Sequence, residues 1–233
     1  MVTLTQSPTD PAFVQNPYDS YATALAQGPL HVWQDYDLHV AFSYPLVKRL
    51  FRDKRFGREC PPELAQPTPA HLAPFYAIEQ HSMLELEPPT HTRLRKLVLR
   101  AFTTARIQSL RPEIEALSHQ LIDDFSEGPF DLIDAFANRI PVTVIARLLG
   151  APETMADQLL TWSNAMVALY QARRNRQIED AAAKAASDFA DFMRSYIDQR
   201  RSLPADDLIT HLIAAEENGE TLTTDELIST CVL

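Results

Sequence analysis

The chain has 233 residues, 45% of them hydrophobic, enough to bury one large domain or a large part of one, and a formal net charge of −10 that argues against non-specific nucleic-acid binding. Its five glycines, Gly28, Gly57, Gly128, Gly150 and Gly219, are each more than twenty residues apart, which excludes Gly-x-Gly-x-x-Gly and Walker-type phosphate loops. Cys60 and Cys231 offer neither a disulfide framework nor metal-ligand spacing, and with no long apolar run and no basic-then-apolar leader, no membrane span is expected and a cytoplasmic compartment fits.

Twelve of the seventeen prolines lie at or before Pro89, and helical periodicity dominates after it. Asn16 to Gln27 reads as a short helix, His31 to Val40 as short strands carrying Val32, Trp33, Tyr36 and Val40, and Ser43 to Arg52 as a helix. Pro61, Pro62, Pro67, Pro69 and Pro74 predict a loop over 61–85 rather than regular helix.

The run Leu-Glu-Leu-Glu-Pro-Pro-Thr-His-Thr-Arg-Leu-Arg at 84–95 follows. Two prolines fix φ and lack the donors that a first turn leaves unpaired, so a helix is predicted to begin near Pro89. Leu94, Leu97, Val98 and Ala101 give it one apolar face, and His91 and Arg95, four apart, share another. An imidazole beside a guanidinium fork suits a bound carboxylate; a solvated pair of basic side chains is the competing reading. Arg93, Lys96 and Arg100 fall on a different stripe, readable as a solvated face or as a docking patch for an acidic partner.

Thr104 to Phe125, Leu132 to Leu149, Pro152 to Tyr170, Arg174 to Arg200 and Asp206 to Glu217 read as successive helices. Thr223 and Glu226 form a capping-box pattern ahead of the apolar run Leu227, Ile228, Cys231 and Val232. An apolar helix that short, stopping at Leu233 with no closing Gly, Asn or basic residue, predicts that the chain is the amino-terminal portion of something longer, or the ordered part of it. His31, His39, His71, His119 and His211 have no i, i+4 partner of metal-binding type, and no G-x-S-x-G elbow supports a hydrolase.

The run at 81–103 closely resembles the C-helix region of the bacterial cytochromes P-450, the haem-thiolate monooxygenases. Further pieces follow the family's order: Asp53 to Arg58 resembles the segment before its B–C loop, and Pro141 to Pro152 its E helix and the turn into F. Asp206 to Ile209, Ala214 to Gly219 and Thr224 to Leu227 resemble its H helix and the opening of its I helix. The family's E-x-x-R helix and cysteine-ligand loop have no counterpart in these residues.

The resemblance implies a mainly α P-450-like domain over 1–233, incomplete, with a small β-sheet near the amino terminus. It implies haem b, with His91 and Arg95 on its propionates and a thiolate ligand to iron that lies beyond Leu233, none being supplied by this chain. It also implies a ferredoxin-type electron donor at Arg93, Lys96 and Arg100, and insertion of one oxygen atom from dioxygen into an apolar small molecule. Substrate contacts are expected from Ile78, His81, Met83 and Leu84, and from Met166, Val167, Leu169 and Tyr170; ordinary core packing is the alternative for each. A non-catalytic helical protein that binds a partner or a hydrophobic ligand without haem is the rival reading.

Overall fold

A computed structural model describes residues 2–171 and 173–232. Leu233, the position beyond which the resemblance puts the thiolate ligand, lies outside the described residues. The chain divides into two compact units, one ending at Gly57 and the other beginning at Arg58.

In the first unit β1 (Val2–Leu4) runs parallel to β2 (Leu30–Trp33), and β3 (Leu38–Ala41) pairs antiparallel to β2. Between the first two strands lie α1 (Pro11–Gln15), capped by Asp10, and α2 (Tyr18–Gln27); α3 (Tyr44–Leu50) follows β3. The strands and helices expected over 16–52 are present, while β1 and α1 were not expected. His31, in the middle of the sheet and 1% exposed, directs Nε2 at the carbonyls of Ala24 and Gly28, both at 2.9 Å. It therefore sits against the carboxyl end of α2, adding to the Gly28 N–H that the Ala24 carbonyl already accepts and facing the Gly28 carbonyl just past the helix.

The second unit is helical. Its first helix, α4 (Ala73–Glu79), corrects the expectation of loop across 61–85. Pro74 occupies its first turn, where a missing N–H disrupts nothing, so a proline-rich approach is compatible with a helix starting there. α5 (Thr90–Ala101) starts directly after Pro88 and Pro89 and buries Leu94, Leu97 and Ala101. α6 (Thr104–Asp123) is capped by Thr103, whose hydroxyl accepts the Arg106 N–H at 3.3 Å. The single helix expected over 132–149 is a π-helical turn, Ile133–Ala137, followed by α7 (Arg139–Leu149).

α8 (Ala156–Val167) ends in a tighter turn over Ala168–Tyr170, and α9 (Arg176–Ser202) begins at the Asn175 cap. This long helix carries the largest buried face of the unit, from Ala182 to Ile197, and packs against α4, α8 and α10 (Leu208–Ala214). The helix expected over 206–217 stops early. Asn218 and Gly219, at φ 55° and 81°, turn β4 (Glu216–Glu217) back onto β5 (Glu220–Thr221). Consecutive positive φ values define the tight hairpin turn that Asn-Gly favours. α11 (Thr224–Val232) follows, on the residues expected to open an apolar helix.

Gly150 ends α7 at φ 75°, a left-handed conformation costly for any residue with a Cβ. Its carbonyl accepts the Tyr196 hydroxyl. Arg200 in turn hydrogen-bonds the Tyr196 oxygen at 2.6 Å, lies 4.7 Å from the centre of its ring and pairs with Asp207. Asp207 uses its other oxygen to cap α10 at the Thr210 N–H, 2.8 Å away. Carboxylate, guanidinium, phenol and carbonyl thus join the ends of three helices, and each polar group buried there is partnered.

Candidate anion site on α5 and the neighbouring clefts

α5 is set by its surroundings before its basic residues are considered. The His91 and Arg93 N–H groups bond the carbonyls of Glu87 and Pro89, at 3.0 and 3.1 Å, so the first turn closes on the Glu-Pro-Pro turn that precedes it. Leu94 and Leu97, at 1% and 0% exposure, point to the core, and the basic residues share the rest of the circumference with the exposed Leu99. His91 is half-buried and Arg95 exposed, one turn apart. Among the described residues neither side chain has a hydrogen-bond or ion-pair partner.

Arg93, two positions from each, behaves differently. Its guanidinium pairs with Glu226 of α11, and its Nε lies 4.0 Å from Glu220 of β5. The sequence placed Arg93 with Lys96 and Arg100 in an outward patch; the structure leaves Lys96 and Arg100 exposed and commits Arg93 inward. Glu226 forms the expected capping box: its Oε2 accepts the Thr223 N–H at 2.8 Å, and the Thr223 hydroxyl accepts the Glu226 N–H at 3.2 Å. Burial would raise the Glu226 carboxyl, but the Thr223 N–H and the Arg93 guanidinium outweigh it and hold the group below the ordinary carboxylate range.

The eight side chains expected around a substrate do not line one cavity. Leu169 and Tyr170 border a cleft of about 450 Å³ together with Phe75, Glu79, Glu85 and Arg58. Met166 instead borders an apolar cleft of about 200 Å³, with Val142, Leu159, Phe189 and Cys231. Ile78, 7% exposed, lies in the core beside a smaller depression, His81 and Met83 are half-buried, and Leu84 and Val167 are more than half exposed.

Sequence reasoning missed Glu79 and Arg58. The Tyr170 hydroxyl donates to Glu79 Oε1 at 2.8 Å, and Arg58 pairs with Glu85. Burial pushes the Glu79 carboxyl up, and burial together with the Glu79 contact pushes the Tyr170 phenol well above its ordinary value. Glu79 carried no signal, because it stands in the segment that the prolines marked as loop.

The donor set fits part of a haem. Imidazole and guanidinium, unpaired and adjacent on a chain of net charge −10, suit carboxylates such as propionates. No cysteine here is set up as an iron ligand: Cys60 is exposed in a loop, and burial pushes the Cys231 thiol up to about 12. Among the described residues no group of three or more His, Cys, Asp or Glu could hold a metal ion, and no helix is long and apolar enough to cross a membrane.

The order of helices around α9, with a small sheet at the amino terminus and a cationic pair on α5, defines a protein of the cytochrome P450 fold. No protein-family model matches the chain. It is 34% identical to cytochrome P450 107B1 of Saccharopolyspora erythraea over 94% of its own length and 55% of that protein's. With cytochrome P450 monooxygenase PikC of Streptomyces venezuelae it shares 31% identity, over 93% of this chain and 51% of the other. Among solved structures, P450BioI in complex with an acyl carrier protein ligated to hexadec-9Z-enoic acid superposes with a TM-score of 0.85 at 26% identity, covering 95% of this chain and 57% of that one. The Bacillus subtilis polyketide-synthase cytochrome P450 PksS superposes with a TM-score of 0.82 at 29% identity, over 98% and 56%. The chain belongs to the bacterial cytochrome P450 family, whose members use haem b, and corresponds to its amino-terminal half; the half that carries the family's iron ligand is not in the sequence ending at Leu233. It spans about half the length of the curated relatives it matches.

Proposed function

We propose that this chain is the propionate-binding and pocket-forming part of a haem-thiolate monooxygenase that inserts one oxygen atom from dioxygen into an apolar small organic substrate, with electrons from a ferredoxin-type donor. The single observation that carries the reading is the unpartnered pair His91 and Arg95 on one face of α5. In it, the Arg95 fork and the His91 imidazole each hold a propionate oxygen by charge-assisted hydrogen bonds. The haem supplies the oxidising chemistry, while the chain's own residues bind, orient and keep water from the site.

The apolar cleft around Met166 favours a hydrophobic substrate, while the separate cleft bordered by Leu169 carries the polar Tyr170–Glu79 contact. Lys96 and Arg100 give an otherwise acidic protein a local positive surface on the same helix, which would orient an acidic donor before contact.

The test is haem occupancy of the full-length protein. His91→Ala with Arg95→Ala is expected to lower it strongly, because each lost charge-assisted bond is worth about 1.5–3 kcal/mol. Undiminished haem retention in the double variant refutes the propionate assignment, whereas a full-length parent protein that takes up no haem favours the non-catalytic helical reading. Charge reversal at Lys96 and Arg100 should slow association with an acidic ferredoxin at low salt while leaving haem content unchanged.

A further inference from the structure

The buried residues of α5 are Leu94, Leu97 and Ala101, so nothing in its first turn, Thr90 to Arg93, is anchored in the core. Yet that turn carries His91. Among the described residues its closest tertiary attachment is polar: the Arg93 guanidinium on the Glu226 carboxylate, with the exposed Glu220 carboxylate 4.0 Å from Arg93 Nε.

We infer that Glu226 is a positioning residue for the anion-binding face of α5, fixing through Arg93 the rotation of the turn that presents His91 and Arg95; this rests on the haem-anchoring reading above. The pair is largely withdrawn from water, with side-chain exposures of 27% for Arg93 and 8% for Glu226, so it is not the screened surface contact that contributes little. Glu226 is itself held. One oxygen faces Arg93 while the other accepts the Thr223 N–H, and it sits in the first turn of α11, where the helix dipole favours negative charge.

Arg93 lies two residues from both His91 and Arg95, about 200° around the helix, so a hold on Arg93 acts from the side opposite the pair. A torsional drift of the first turn would swing His91 away from Arg95's target, and the clamp opposes that drift. The contact also couples α5 to the start of α11 across 133 residues of sequence.

Glu226→Gln separates the two duties of the carboxylate, because an amide oxygen still accepts the Thr223 N–H while the charge facing Arg93 is lost. In the haem-loaded full-length protein, the rate of haem transfer to apomyoglobin is the readout. Glu226→Gln and Arg93→Gln should each speed transfer about tenfold, and the double variant should be no faster than either single one. In the same variants without haem, amide exchange should accelerate from Arg93 to Arg95 more than in α9. Ile209→Val, a core change in α10, serves as the stability control and should lower the melting temperature with little effect on transfer.

Transfer at the wild-type rate in Glu226→Gln, with fast transfer in His91→Ala/Arg95→Ala, overturns the positioning role and leaves the propionate assignment standing. Wild-type rates in all of them overturn both. Equal acceleration in Ile209→Val at matched loss of stability reduces Glu226 to a structural residue and overturns the inference as well.

Discussion

Gly150→Ala tests the joint between α7, α9 and α10. A Cβ added there would meet Asp207 at 2.6 Å from its Cβ and 2.7 Å from its Cγ, and φ stands at +75°. The backbone alone costs about 1–2 kcal/mol for a residue with a Cβ in the left-handed region. Asp207 cannot yield freely, because it caps α10 and pairs with Arg200 at side-chain exposures of 5% and 16%. Losing the cap costs about 1 kcal/mol. Stranding a withdrawn guanidinium adds about 3 kcal/mol. The expected loss is therefore about 5 kcal/mol, a large share of a total stability of about 5–15 kcal/mol for a domain. Gly128→Ala is the matched control: φ is +97° with nothing within 4 Å, so only the backbone penalty applies. Urea denaturation followed by circular dichroism would compare the two. Midpoints that place both variants within about 1 kcal/mol of each other would refute the steric and electrostatic account of Asp207.

Two further outcomes follow from the titrating groups. A carboxyl whose folded pKa is raised, as burial raises that of Glu79, binds its proton more tightly folded than unfolded; its ionisation therefore opposes folding above the folded pKa, and that opposition fades as pH falls. Glu79→Gln, which can still accept from the Tyr170 hydroxyl, should be more stable than the parent at neutral pH, with the advantage shrinking toward pH 4; a constant or reversed difference would count against it. At pH 8 an aromatic disulfide reagent should label the exposed Cys60 quickly and the half-buried Cys231 much more slowly, since a thiol pushed up to about 12 is almost wholly protonated there. Comparable labelling rates in the folded chain would contradict the raised pKa of Cys231.

Local features were legible and remote ones were not. The start of α5 followed from Pro88 and Pro89, and the capping box at Thr223 and Glu226 from its spacing, because both are decided within one helical turn. The partnership of Arg93 with Glu226 was invisible, since a basic residue on a polar stripe reads alike whether it faces water or a carboxylate folded onto it from far along the chain. α4 was overlooked because five prolines outweighed the fact that Pro74 falls at a position helices accept. Asn218-Gly219 did carry a turn signal, overridden by the helical texture of the residues before it. The separation of Met166 from Leu169 and Tyr170 into different clefts depends on how α8 gives way to the tighter turn after Val167, which periodicity does not specify.

The buried face of α9 includes Ala182, Ala183, Ala185 and Ala186, and on this helix α8 is laid. Side chains that small set the spacing between two backbones rather than the shape of a surface. Enlarging one of them would push a whole neighbouring element away from α9, whereas a change at Met166 alone alters only the contour of one cleft. Variation in this protein thus has two separable scales, a coarse adjustment of wall position written in α9 and a fine adjustment of relief written in α8, and a library that randomised both together would confound them.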